Sequence, residues 1–191
     1  MTRPPRILIV DDERMIVDYL EEYLQRLGYE TVTAANGQEA LERIAADSPD
    51  LILLDIVMPV INGLKVCRIL KGDEVTRLIP IVIMTSLDGI EDRIKGIEAG
   101  ADDYLAKPIN PRELTARIET ALRLKSNVDL KISELHRIKD HFAKFVPEAV
   151  KRLVSANPTA PELAKRERDL SILFLDISGY ADLSQRLPPQ A

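Results

Sequence analysis

Two hydrophobic periods alternate along this chain. Short segments at 6–10, 30–34, 51–55, 80–84 and 102–106 read as strands. Leu51-Ile-Leu-Leu-Asp55-Ile-Val-Met-Pro59 is the strongest of them. Apolar residues on both sides of a single acid predict a strand buried on both faces, which belongs in a parallel sheet covered by helices. Between the strands the period lengthens to three or four. Ile16, Leu20, Tyr23, Leu24 and Leu27 predict one face of a helix stopped by Gly28. An Ala-rich helix is expected at 38–46, and one around 63–72 carries Leu64, Val66, Cys67 and Leu70. A fourth is expected at 88–98, ending at Gly100, and a fifth from Pro111, a residue suited to a first helical turn. Five strands alternating with five helices predict a doubly wound α/β domain with right-handed crossovers.

The unusual polar residues all follow strands: Asp11 and Asp12, Asp55, Thr85 and Lys107. Open α/β sheets bind ligands at that edge. Each residue also has a plainer reading. Asp55 could cap the following helix, Asp12 could cap helix one, Thr85 could serve a turn, Tyr104 the core, and Lys107 solvent. All five would have to hold together to remove the site.

Bulk properties narrow the classes. No apolar run approaches the ~18 residues of a spanning helix, and the start runs straight into a strand, so a cytoplasmic protein with no membrane contact is expected. The lone Cys67 excludes an internal disulfide and falls in a helical apolar pattern, as a small buried hydrophobe would. The net charge of −5 comes from an acidic stretch at 1–125, with 16 Lys/Arg against 22 Asp/Glu, while 126–191 is nearly balanced at 10 against 9. Neither part has the basic stripe that direct nucleic-acid binding requires.

Three carboxylates at one sheet edge raise one another's pKa unless a positive charge intervenes. A hard divalent cation with oxygen ligands, Mg²⁺ above all, suits them. Lys107 could neutralise an arriving phosphoryl group and Thr85 could donate to its oxygen. The chemistry suggested is attack by Asp55 on a phosphoryl group, giving an aspartyl phosphate.

The order Asp11-Asp12, Asp55 with Met58-Pro59 and Gly63, Thr85, then Lys107-Pro108 resembles the receiver domain of bacterial two-component response regulators, over about residues 5–125. That resemblance implies a flavodoxin-like sheet of order 2-1-3-4-5 and a phosphorelay partner, either a sensor histidine kinase or a phosphotransfer protein. It implies Asp55 as phospho-acceptor, and Mg²⁺ held by Asp11, Asp12, Asp55 and the Val57 carbonyl. Thr85 and Lys107 would contact the phosphoryl group, Tyr104 would be the aromatic switch that follows Thr85, and Lys107-Pro108 would be cis. Asn62-Gly63 departs from the more usual Asp-Gly, and Ser86 from Ala or Gly. Val57 and Leu87, two residues after Asp55 and Thr85, are apolar where family members often orient a hydrolytic water. A slowly self-hydrolysing phosphoryl state is therefore expected.

Beyond the fifth helix the apolar pattern continues. Leu124, Val128, Lys131, Leu135, Ile138, Phe142 and Phe145 alternate steps of four and three, a heptad seam containing one Lys. The two consecutive steps of three from Ile118 through Ala121 to Leu124 form a stammer. A parallel homodimeric coiled coil is expected, against the alternative of a helix folded back on its own domain. After Pro147 and a linker at 156–161, Arg168-Asp-Leu-Ser-Ile-Leu-Phe-Leu-Asp176-Ile-Ser-Gly-Tyr180 resembles the opening strand of class III adenylate/guanylate cyclase domains. On that resemblance Asp176, assisted by the Ile177 carbonyl, would be a catalytic metal ligand; the alternative is an edge strand packed on the receiver or a partner.

The organisation expected is a receiver at 1–123, a helical coiled-coil linker at 124–155, and a linker with the first strand of an incomplete cyclase domain at 156–191. The function expected is that of a non-enzymatic signalling switch passing its phosphorylation state to an output, with no cyclic nucleotide made. The alternatives are a phosphotransfer or docking receiver without output, and part of an active adenylate cyclase. A haloacid-dehalogenase-type phosphatase would want Asp-x-Asp after strand one rather than the adjacent Asp11-Asp12.

Overall fold

The computed structural model describes residues 3–86 and 90–144. Five parallel strands form the sheet: β1 (Arg6–Val10), β2 (Glu30–Ala34), β3 (Leu51–Asp55), β4 (Ile81–Thr85) and β5 (Asp103–Ala106), in the order β2-β1-β3-β4-β5. Five helices connect and follow them: α1 (Arg14–Arg26), α2 (Gly37–Ala46), α3 (Gly63–Gly72), α4 (Ile90–Glu98) and α5 (Pro111–Ala143). The expected doubly wound topology and strand order are what the chain adopts.

The period-two alternation of the strands sorts the core into two layers. Leu8, Val10, Ile52, Leu54, Ile81 and Ile83 pack with Ala40 and Ile44 of α2 and Val66, Cys67 and Leu70 of α3. Ile7, Ile9, Leu51, Leu53, Val82 and Met84 point the other way, onto Val17, Leu20 and Leu24 of α1 and Leu114, Ile118 and Ala121 of α5. Strands β3 and β4 are buried throughout, as their unbroken apolar runs require, whereas β2 is only partly buried until Ala34 because it forms the sheet edge. Cys67 is buried, its thiol donates to the Ala99 carbonyl at 3.3 Å, and burial pushes its pKa up to about 11.

Some boundaries and faces differ from the sequence expectation. Strands β4 and β5 each begin one residue later than expected, at Ile81 and Asp103, and α2 begins one residue earlier, at Gly37. Leu27 is 46% exposed: α1 ends at Arg26, so Leu27 sits in the cap, and Val17 takes the buried place with Leu20 and Leu24. The chain then turns at Gly28, whose φ of +87° favours glycine.

Helix α5 continues unbroken through Ala143 instead of ending with the domain. Leu114 and Ile118 are fully buried, but Leu124, Val128, Leu135 and Ile138 are 42–63% exposed. Over these residues the helix does not fold back on its own domain. The expected seam residue Phe145 and the cyclase-like stretch with Asp176 and Ile177 lie outside the described residues, as does Leu87.

Candidate functional site

Sheet register brings the polar residues together. Asp55 ends β3 opposite Met84, and Thr85 ends β4 opposite Ala106. Lys107 directly follows β5, and its backbone N–H donates to the Thr85 carbonyl at 2.8 Å. The Lys107–Pro108 peptide is cis, as expected. Asp11 follows β1, with its N–H bonded to the Ala34 carbonyl at 3.2 Å and its Oδ1 accepting from Glu13 N–H at 2.9 Å. Four strand ends thus deliver four side chains to one edge.

The plainer readings of the two acids fail on geometry. The N-cap of α1 is Glu13, not Asp12. The N-cap of α3 is Asn62, whose Oδ1 accepts from Lys65 N–H at 2.9 Å, so Asp55 is not needed there. Gly63 fits for a different reason. A Cβ on it would lie 2.0 Å from the Asp55 carbonyl oxygen, while its N–H bonds the Ile56 carbonyl at 3.0 Å. Any larger residue would push α3 off the strand end that presents Asp55.

Asp11, Asp55 and Thr85 are the buried polar residues among those described, at 1%, 4% and 4% exposure; Asp12 is exposed. Oxygens of Asp11, Asp12 and Asp55 all lie within 4.8 Å of one another. Lys107 is the counter-charge: Nζ stands 3.0 Å from Asp55 Oδ1, 2.8 Å from Asp11 Oδ2 and 3.4 Å from Glu13 Oε1. One ammonium facing four acids leaves the edge strongly negative. Burial raises the Asp55 pKa, with Asp11 adding to the rise, while Lys107 and the Val57 N–H work against it. For Lys107 burial acts downward, but the carboxylates of Asp11 and Asp55 prevail and hold its pKa above the ordinary lysine value.

These residues fit a hard divalent cation. Asp11 Oδ2 is buried, and Lys107 Nζ at 2.8 Å is the cation beside it, so its remaining lone pair stays open toward the cluster. One ammonium shared between Asp11 and Asp55 leaves the clustered carboxylates under-compensated, which a coordinated cation would relieve. The donors are oxygens of the kind Mg²⁺ prefers.

Two residues escaped the sequence reading. Glu13 was visible only as a third acid after Asp11-Asp12, and its reach to Lys107 depends on the cap geometry of α1. Arg117 of α5 grips Asp103 through contacts of 2.6 and 2.7 Å, and its guanidinium lies 5.4 Å from the Tyr104 ring centre. The hydrogen bonds to Asp103 hold its pKa above the usual arginine value. Nothing in the spacing of 103 and 117 signals that clamp. Beside it, a cavity of about 150 Å³ lies between Thr85 and Tyr104, walled by Ile56, Ile83 and Ile97.

Known proteins resemble this chain in sequence and fold. The family model of the response regulator receiver domain matches residues 7–119. The alkaline phosphatase synthesis transcriptional regulatory protein PhoP of Bacillus subtilis is 42% identical over 130 residues, covering 68% of this chain and 53% of that protein. Response regulator PleD of Caulobacter vibrioides is 49% identical over 124 residues, covering 65% of this chain and 27% of PleD. A crystal structure of a response regulator from Chloroflexus aurantiacus superposes with a TM-score of 0.61 at 40% identity, over 63% of this chain and 98% of that one. The chain thus spans about half or less of the curated relatives it matches. With the strand order, the carboxylate cluster and the matched residues in agreement, the chain belongs to the response regulator receiver domain family.

Proposed function

We propose that Asp55 accepts a phosphoryl group from a histidine kinase or phosphotransfer protein, and that α5 passes the resulting state to an output. The observation that carries this reading is the carboxylate cluster closed by Lys107 at the carboxyl edge of β3. A cation held by Asp11, Asp12, Asp55 and the Val57 carbonyl would screen the repulsion between the carboxylates and the phosphoryl oxygens. An Asp55 oxygen then bonds to phosphorus as the donor's P–N bond breaks, and the electron pair leaves with the imidazole of the donor histidine. Lys107, already 3.0 Å from Asp55, turns its charge to the transferred oxygens. Thr85 donates its hydroxyl to one of them.

Movement of Thr85 toward that oxygen enlarges the space behind it. The cavity between Thr85 and Tyr104 gives the tyrosine ring somewhere to turn, and Arg117 is the contact it would leave. Since Arg117 lies on α5, the switch reaches the helix that extends from the domain. The exposed 4-3 stripe on that helix supports a homodimeric coiled coil, with a receiver at 1–123 and a connector at 124–155. The resemblance at 168–180 supports a nucleotide-cyclase output, with Asp176 and Ile177 as its metal ligands. Val57 is 60% exposed beside the site and offers only methyl groups, which supports slow hydrolysis of the phosphoryl state. Val57→Asn with Leu87→Glu should speed that hydrolysis, followed as loss of ³²P from the protein.

Light scattering with and without beryllofluoride and Mg²⁺ tests the reading. A gain in dimer that disappears in Asp55→Ala is expected. An equal response from Asp55→Ala would remove Asp55 as the acceptor.

A further inference from the structure

One wall of the cavity between Thr85 and Tyr104 carries no side chain. Gly96 of α4 is buried and lines the space together with Ile56, Ile83, Ile97 and Ala101. Ile83 is the register partner of Tyr104 across β4 and β5. A Cβ built on Gly96 would stand 3.3 Å from Ile83 Cδ1, so a side chain there would grow into the room beside the tyrosine. Glycine is otherwise a poor choice inside a helix, where it gives up more backbone freedom than alanine.

The wall is also fixed in place. α4 ends in a glycine cap: Gly100 has φ of +90°, and its N–H bonds the Ile97 carbonyl at 2.9 Å. The Ala101 N–H bonds the Gly96 carbonyl itself at 3.1 Å. Two residues of α3 fasten this cap. Cys67 Sγ donates to the Ala99 carbonyl at 3.3 Å, and a Cβ on Gly100 would lie 3.1 Å from Lys71 Cγ, so the lysine stem covers the turn. Lys71 Nζ then donates to the Ile79 carbonyl at 2.9 Å and to Asp102 Oδ2 at 2.6 Å. The same Asp102 oxygen accepts from the Ile81 N–H at 2.8 Å. The end of α4, the start of β4 and the approach to β5 are thus tied at one corner of the cavity. With that corner held, the room beside Tyr104 depends on what position 96 carries rather than on a shift of the helix.

We infer that Gly96 is the residue that lets the phosphoryl signal leave the site: by carrying no side chain it keeps open the space into which Tyr104 turns. A larger residue there would leave Asp55 able to accept a phosphoryl group while holding the Tyr104 ring beside Arg117. The inference rests on the switch reading above and adds to it a determinant outside the carboxylate cluster.

Fluorine NMR on the full chain labelled with 3-fluorotyrosine, with beryllofluoride and Mg²⁺, reads both halves of the inference in one spectrum. Bound beryllofluoride reports the acceptor site, and the Tyr104 resonance, assigned through Tyr104→Phe, reports the ring. Gly96→Ala adds one methyl group, which the flexible end of Ile83 can accommodate, and Gly96→Leu fills the cavity. Gly72→Ala controls for helix propensity, because a Cβ there meets nothing within 4 Å. Wild type and Gly72→Ala should shift the Tyr104 resonance when beryllofluoride binds. Gly96→Ala should shift a smaller fraction. Gly96→Leu should bind beryllofluoride with the ratio of turned to unturned rings reduced roughly tenfold or more, the scale of overpacking a filled space. A full Tyr104 shift in Gly96→Leu overturns the proposal. Loss of bound beryllofluoride in both Gly96 variants also overturns it, since Gly96 would then serve the site or the fold rather than the cavity. A wild type that binds beryllofluoride without moving Tyr104 removes the switch reading and this inference with it, leaving the acceptor reading intact. A wild type that binds none removes all three.

Discussion

Helix α5 is two helices in one. Its first part and its later part carry aliphatic residues at similar steps of three and four, yet Leu114 and Ile118 are wholly buried while Leu135 and Ile138 are at least half exposed. The difference lies in what faces them. The first part has the sheet, with Ile7, Ile9, Leu51 and Leu53 on the same side. The second has passed the sheet's edge. Among the described residues its start borders Leu78 and Pro80 on one side and Arg3, Pro5 and Asp50 on another, and Leu135 and Ile138 lie beyond both. Periodicity therefore marks a face that needs a partner, and only the rest of the molecule decides whether that partner is internal.

The largest effect that would break this comparison is on stability. Ile118→Ala should lower unfolding free energy by about 2–5 kcal/mol, because it empties a packed core site. Leu135→Ala, measured by urea denaturation at concentrations where the chain is monomeric, should change it by within about 0.5 kcal/mol. A comparable loss at Leu135 would mean that the later part of α5 is packed on its own domain after all.

A second contrast sets the apolar core against the charged edge. Asp55 is a buried carboxylate whose environment works against its own ionisation. Its pKa in the folded chain lies above the unfolded value, so the cost of its charge is absent at pH below the ordinary carboxylate range. That cost grows as pH rises from there through the folded pKa, and stays at neutral pH. Asp55→Asn should accordingly raise the melting midpoint in metal-free buffer at pH 7, with an advantage that shrinks as the pH falls toward 4. Added Mg²⁺ should stabilise the wild type more than the variant. A variant no more stable than wild type at pH 7 would show that Lys107 fully compensates the buried charge.

The smallest expected effect is in the loop between them. Val60 adopts φ of +67° with the Ile61 N–H bonded to the Pro59 carbonyl at 2.8 Å, a tight turn that a β-branched residue enters at a cost. Val60 is 80% exposed, so the cost is not offset by burial. Val60→Asn should gain about 0.5–1 kcal/mol, read as a shift in the urea midpoint with unchanged slope. No gain would mean that the turn imposes no local strain on the valine.

Much of the molecule follows from local signals. Alternating periods, the apolar run at 51–54 and the turn residues after it determine five strands, five helices and the edge at which polar side chains collect. That Asp11, Asp55, Thr85 and Lys107 meet also follows, since each directly succeeds a strand and parallel strands share one carboxyl edge. Burial on particular faces follows less well. Leu27 is exposed because α1 ends at Arg26 and leaves it in the cap, while Val17 is buried because steps of three and four put it on the face of Leu20 and Leu24.

Other features are set only by the assembled fold. Glu13 beside Lys107, Arg117 on Asp103 and over Tyr104, and Leu78 lining one cavity with Leu124 join residues far apart in sequence. Their distances depend on helix lengths, on crossover geometry and on where α5 clears the sheet. A sequence specifies which groups carry charge, hydroxyls and hydrophobic surface, because those are properties of single residues and short periods. Which of them touch is a property of the packed whole, in which a single strand register or helix end relocates every contact that depends on it.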